Sequence, residues 1–258
     1  MSNNKGIIKS VQKSLKVLKY IMSQSNEVSV NELVDEFGYN RSTIHHMLKT
    51  MKVEGFITQN RRTKNYNIGS EIFNGWIKDR DMHNYLMRLK PVIKEIVDKC
   101  KETTTMFVRE NDKAICVLGE ESEQIIKAYL MIGREIPLYC TAAGRSMLAY
   151  LPKDEVEKIL QISGLKKYMK KTTVDEEELY EELREVKKKG YSIEKEEFEE
   201  LINAVGIPVL NKEHRPIAAV SVVGPIMRFT DDKMKDCIPF LLEKSKEMSE
   251  IVQGQYYK

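Results

Sequence analysis

The sequence predicts an α+β chain of two domains: an N-terminal winged helix-turn-helix, then a mostly antiparallel sheet flanked by helices. Three observations predict it. Residues 29–56, SVNELVDEFGYNRSTIHHMLKTMKVEGF, read as two short amphipathic helices about a tight turn. A short hairpin with a basic tip follows directly. Beyond residue 101 the apolar spacing changes from three-and-four to two, the period of strands. The expected boundaries are 1–69 for the first domain, 70–83 for a helical linker and 84–258 for the second domain.

In chain order, Ile8, Val11, Leu15, Leu18 and Met22 mark a first helix over about 8–24 that packs on the next two. Lys9, Lys13, Lys16 and Lys19 form a stripe on it, either facing phosphates or merely solvated. Ser29 followed three residues on by Glu32 is a capping box. Val30, Leu33, Val34 and Phe37 give the helix one apolar face, and Gly38 stops it. Asn40 suits the N-cap of a third helix, which buries Ile44, Met47, Leu48 and Met51. Its other face carries Arg41, Ser42, Thr43, His45, His46 and Lys49, the surface that a helix-turn-helix sets against DNA. Paired helices about a glycine also occur in domains that bind no DNA, and this segment alone does not choose. The hairpin sharpens the reading. Strands over 56–59 and 66–68 flank a turn carrying Arg61, Arg62 and Lys64, placed as a wing against the sugar-phosphate backbone. Residues 1–80 hold 13 Lys/Arg and 7 Asp/Glu, net +6 in a chain whose total is +3, so a polyanion partner is expected for this part.

Residues 70–82 read as a linker helix whose Trp76, the chain's single tryptophan, anchors packing within the chain or across a dimer. A longer helix over 84–101 contains Pro91, which should kink it or mark its start. TTTMFVRE, AICVLGE and IIKAYLMI read as three strands, the first two joined by a turn at Asn111 and Asp112. Pro137 opens a loop, and TAAGRSMLAYL is a short helix rich in small residues. Helices over about 153–162 and 175–189 precede the strands YSIEK, LINAVGIPVL and PIAAVSVVG. Thr230 caps a last helix that buries Met234, Ile238, Leu241, Leu242, Met248 and Ile251. Such a mixed domain, with a loop and helix between strands, suits the enclosure of a small ligand.

Composition excludes other classes. With 41% hydrophobic and 31% charged residues the chain builds a core, and no apolar run reaches the length of a membrane span. No apolar leader segment opens it, which points to the cytoplasm. Cys100, Cys116, Cys140 and Cys237 are scattered through apolar segments, as reduced buried thiols are, so no metal site or cofactor is expected. An enzyme is the competing class, but GxSxG, HExxH and GxxxxGK[ST] are absent. Cys140, near a helix start, is the one candidate nucleophile, and His214 has no evident tie to it; a buried apolar cysteine is the other reading.

Taken together, SVQKSLKVLKYI, VNELVDEFGYNRSTIHHMLKTMKVEGFI, TKNYNIGSEIF, PLYCTAAGRSMLAYL, KKGYSIEKEEF and AAVSVVGP resemble the IclR family of bacterial transcription regulators over nearly the whole chain. The resemblance implies a winged helix-turn-helix, a linker helix and a GAF-like effector domain. It also implies a homodimer or homotetramer that binds a double-stranded operator and controls an operon of small-molecule catabolism. It places a small-molecule effector, expected to be an organic acid, beside Ala142, Ala143 and Gly144 of TAAGRS, Glu194 and Ser221. Small residues at a helix start leave room and offer backbone N–H groups to a carboxylate. Two departures from the family pattern bear on ligand size. Glu194 stands where Asp is frequent, and LINA replaces a Gly-x-Arg-Cys-like run. A solvated carboxylate in an acidic stretch is the other reading of Glu194.

Overall fold

A computed structural model describes residues 6–24, 27–60, 63–69 and 80–254, with side chains from Leu86 onward in the last stretch. The chain divides into two compact units, Met1–Asp79 and Arg80–Lys258. Residues 70–79 of the predicted linker, Trp76 among them, and the wing-tip residues Arg61 and Arg62 lie outside the described residues, and residues 80–83 belong to the helix that opens the second unit.

The first unit contains α1 (Lys9–Ser23), α2 (Val30–Phe37), α3 (Arg41–Val53), β1 (Ile57–Gln59) and β2 (Tyr66–Ile68). The capping box forms: Glu32 N–H donates to Ser29 Oγ at 3.1 Å, and Ser29 N–H to Glu32 Oε2 at 3.4 Å. Gly38 ends α2 at φ +63°, a left-handed conformation that glycine enters without a Cβ clash. Asn40 occupies the N-cap of α3 but makes no side-chain capping bond. Val17, Leu18 and Ile21 of α1 close the core over Leu33, Ile44, Leu48 and Ile57. The expected packing face of α1 is thus displaced. Ile8, Val11, Leu15 and Met22 are exposed, because the helix carries two adjacent apolar stripes and only one meets the core.

β1 and β2 pair antiparallel with Ile57 opposite Ile68 and Gln59 opposite Tyr66. Val28 adds a bridge to Tyr66, N–H to carbonyl at 2.8 Å in both directions. Glu27 holds the hairpin turn, accepting from Asn60 Nδ2 at 2.5 Å and Thr63 Oγ1 at 2.6 Å.

The second unit begins with α4 (Arg80–Cys100), which runs unbroken through Pro91. Pro91 and Met87, whose carbonyl loses its donor, both lie on the exposed side, where water can satisfy the oxygen. Then come β3 (Thr103–Glu110), β4 (Lys113–Glu120), β5 (Glu135–Pro137), α5 (Ala142–Leu148), α6 (Lys153–Ser163) and α7 (Glu176–Lys189). The chain continues as β6 (Ser192–Lys195), β7 (Ile202–Leu210), β8 (Pro216–Pro225) and α8 (Asp231–Val252). The six strands form one antiparallel sheet in the order β5-β4-β3-β8-β7-β6. Phe107, Cys116 and Ala219 pack with α5, α6 and α7 on one face. The alternate residues Met106, Val205, Ile207, Val220 and Val222 are buried as well, and α4 and α8 pack on each other against the sheet.

The expected strand IIKAYLMI does not form. Residues 121–132 run irregularly, with Ile125 92% exposed, and the strand next to β4 is the shorter β5. Side chains satisfy the backbone there: Leu130 N–H donates to Glu121 Oε1 at 3.2 Å, and Ala128 O accepts from Thr103 Oγ1 at 2.8 Å. An apolar run alone does not make a strand when no neighbour offers a ladder. Leu242, expected in the core of the last helix, is half-buried.

Candidate functional site

Two surfaces hold the residues singled out from the sequence. On α3, burial of Ile44, Met47, Leu48 and Met51 turns the opposite face outward. Arg41, Ser42, His45, His46 and Lys49 are exposed there, and Thr43 is half-buried. Arg41 Nη1 donates to Asn31 Oδ1 at 2.8 Å, which ties the start of α3 to α2 and limits the rotamers of its guanidinium. Lys64 is exposed at the end of the hairpin turn, with φ +61°. On α1, Lys13 lies 4.7 Å from the centroid of the Tyr39 ring, so one lysine of the stripe is engaged with the turn after α2.

The second surface is internal. A cavity of about 310 Å³ lies between the inner face of the sheet, the start of α5 and residues 127–134. Ala142, Ala143, Glu194 and Ser221 line it. The floor is a register row: Glu194 pairs Ala204, Ala204 pairs Val223, and Val223 pairs Thr103. Ser221 and Thr105 form the next row. Gly206 in that row brings α5 down onto β7, because a Cβ there would stand 2.3 Å from Ala142 O.

Gly144 does not line the cavity. Its open side faces Leu138, whose carbonyl oxygen would lie 2.2 Å from a Cβ, so this glycine serves close packing and not ligand space. Two backbone donors at the start of α5 are also committed. Gly144 N–H donates to Thr141 Oγ1 at 3.2 Å, and Ala142 N–H donates to the Glu194 carboxyl. The protein's own carboxyl thus takes part of the seat reserved in the sequence for a ligand carboxylate.

Glu194 is 5% exposed, not a solvated carboxylate. Burial pushes its pKa up from 4.5 to about 7, against the pull of the Phe198 and Ala142 N–H donors and the Arg145 charge. Among the described residues no side-chain cation pairs with it. Arg145 is spent elsewhere, bidentate to Glu197 at 2.8 and 2.6 Å and bonded to Glu182 at 2.6 Å and Ile193 O at 2.8 Å. Burial works against its charge, but these two carboxylates outweigh it and keep the guanidinium protonated. The two cations of the rim are paired too, Arg134 with Glu199 and Lys127 with Glu121.

Several lining residues were not singled out beforehand: Thr103, Thr105 and Phe107 of β3, Cys116 of β4, and Arg134 and Phe198 beside the mouth. Alternation along TTTMF puts the first three on one face, which was a legible signal. Which face met the ligand space was not. Cys140, the candidate nucleophile, and Cys116 on the cavity wall are not activated thiols: burial raises Cys140 above its usual range, Glu194 adding to it, and pushes Cys116 up to about 12. No cluster of metal-ligating side chains occurs among the described residues, and no helix there is long and apolar enough to cross a membrane.

Comparison with known proteins matches both units of the chain. Residues 10–61 match the IclR helix-turn-helix domain, and residues 81–250 match the bacterial transcriptional regulator IclR C-terminal domain. The transcriptional repressor IclR of Escherichia coli is 28% identical over 95% of this chain and 90% of its own. The acetate operon repressor of Salmonella typhimurium is 26% identical over the same shares. The crystal structure of the Thermotoga maritima IclR superposes with a TM-score of 0.66 at 26% identity, over 95% of this chain and 99% of that one.

Proposed function

The chain belongs to the IclR family of bacterial transcriptional regulators, and on that premise we propose that it is a ligand-responsive switch on an operon of small-molecule catabolism. Family members are DNA-binding regulators and not enzymes. In our reading, residues 1–69 bind the operator, 70–83 link, and 84–258 hold the effector. Arg41, Ser42, Thr43, His45, His46 and Lys49 face base edges and phosphates, and Arg61, Arg62 and Lys64 grip the backbone beside them.

The observation that carries the effector half is the cavity, whose walls are apolar apart from a few convergent polar groups. We assign it a small organic acid, bordered by Ala142, Ala143, Glu194 and Ser221. An acid fits because Glu194, in its protonated form, donates one hydrogen bond to a ligand oxygen while Ser221 and the floor threonines stand near. A relative that bears the name of an acetate operon repressor supports metabolism of small acids as the setting. The exposed stripe of Ile8, Val11 and Leu15 on α1 supports a homodimer or homotetramer. The test is a thermal-shift screen of sugar acids, 2-oxo acids and aromatic acids on the wild type and on Ala143→Trp. A hit lost in the variant supports the cavity, and a hit that persists places the site elsewhere.

A further inference from the structure

The charges that face the cavity do not balance as those of an acid-binding site ordinarily do. Arg134 and Lys127 at the rim each have a carboxylate of their own, and Arg145 behind α5 has two. Glu194 is left as the charged group on the wall with no cation, held only by the N–H groups of Phe198, at 3.3 Å, and of Ala142. The elements packed around it add no positive charge that is free. α5 brings Arg145, already committed; the segment after β6 brings Glu197; the residue before Thr141 is Cys140, whose thiol is neutral. β7, β8 and β3 bring Ala204, Val223, Ser221 and Thr103, all uncharged.

A carboxylate ligand in this space therefore meets a second carboxyl group at short range, away from water. Two bare anions there repel strongly, whereas a carboxylic acid donating to a carboxylate makes a short charge-assisted hydrogen bond. From this geometry we infer that the site takes monocarboxylic acids with uptake of one proton, which comes from the buffer and resides on Glu194 between the two carboxyl groups. The inference rests on the reading of the cavity as an organic-acid site. It makes Glu194 the residue that selects against dicarboxylates, since a second negative charge finds no proton and no free cation. It also makes effector affinity depend on pH in a range where the ligand itself stays ionised.

The ordinary wall carboxylate, ionised in both states, predicts no such dependence. With Glu194 at about 7, the protonated fraction falls roughly tenfold between pH 6 and pH 8, and the affinity for the acid falls with it. The experiment is isothermal titration calorimetry of the full chain with pyruvate, lactate, gluconate and 3-hydroxybenzoate. Each is run at pH 6 in phosphate and at pH 8 in both phosphate and Tris. The expected result is about tenfold weaker binding at pH 8, where Glu194 is mostly ionised before the acid arrives and the heats in the two buffers differ by nearly one proton's ionisation per acid bound. In Glu194→Gln the affinity becomes independent of pH and the buffer difference vanishes. An acid that binds with equal affinity at both pH values and equal heat in both buffers overturns the proton linkage while leaving the cavity assignment in place. Failure of all four acids to bind at pH 6 overturns the linkage and the organic-acid reading together. The wild-type comparison in two buffers decides the matter even if the variant does not fold.

Discussion

Glu194→Gln tests the electrostatics of the cavity without any ligand. The wild-type carboxyl is 5% exposed, and burial carries its pKa from 4.5 to about 7. A carboxyl whose folded pKa is raised adds stability that is fully present below its unfolded value. That stability is lost as pH rises through the folded value. At about 1.4 kcal/mol per pH unit between 4.5 and 7, the charged group costs the folded state roughly 3 kcal/mol above pH 7. Glutamine keeps an oxygen to accept from Phe198 N–H and Ala142 N–H but does not titrate. The variant is therefore expected to gain on the wild type by about 2.5 kcal/mol between pH 5 and pH 8.5. Comparing two pH values cancels any fixed difference in hydrogen bonding between the amide and the acid. The assay is urea unfolding followed by far-ultraviolet circular dichroism at both pH values. Parallel behaviour of the two proteins, with a difference that does not change with pH, would mean that Glu194 is ionised and stabilised in the fold. It would also remove the basis for proton uptake on binding.

Three further outcomes follow from other parts of the chain. Arg145→Ala leaves Glu197 buried without its bidentate partner and is expected to cost about 3–5 kcal/mol at pH 8. The deficit should shrink toward pH 5, because burial alone then pushes Glu197 up and protonation relieves it; a loss below about 1 kcal/mol at pH 8 would contradict the role given to Arg145. On the DNA side, Arg41→Ala should weaken specific operator binding by about 1–3 kcal/mol, while Lys64→Ala should weaken all sequences alike and lower the salt slope by about 1. Mobility shifts at several salt concentrations separate the two. Leu15→Glu, which charges the exposed stripe of α1, should shift a dimer toward monomer in sedimentation at micromolar concentration. An unchanged oligomer would move the interface elsewhere.

Local signals in the sequence were reliable where the physics is local. Ser29 with Glu32, Gly38, and Thr230, which accepts from Lys233 N–H at 3.4 Å, act within one helix turn, and each stands where it was read. The last three strands were legible because their apolar runs are bounded by Gly190 and by the turn at Asn211. What failed was non-local. Nothing near residues 125–132 shows that Glu121 and Thr103 would satisfy that backbone without a ladder. Two apolar stripes on α1 could not be ranked before it was known which one met Leu33 and Ile44. Less legible still was the use made of Ala142, Gly144 and Glu194. TAAGRS does open a helix, but the contacts that decide its use come from Leu138, Ser192, Glu194 and Gly206. Ser192, Glu194 and Gly206 reach α5 by folding across some fifty residues or more of chain, so the partly occupied anion seat had no sequence signature; Leu138 is near Gly144 in the chain, but the fold-back of the loop that sets it against the glycine is not written in TAAGRS.

The central claim is that the cavity and the operator surface are coupled. It is tested most directly by measuring operator affinity with and without the acid found in the screen. The operator is first selected from genomic fragments that the full chain retains. The account predicts that saturating acid changes the dissociation constant at least fivefold for the wild type, in either direction, and leaves Ala143→Trp unchanged. Equal operator affinity with and without an acid that demonstrably fills the cavity would contradict it.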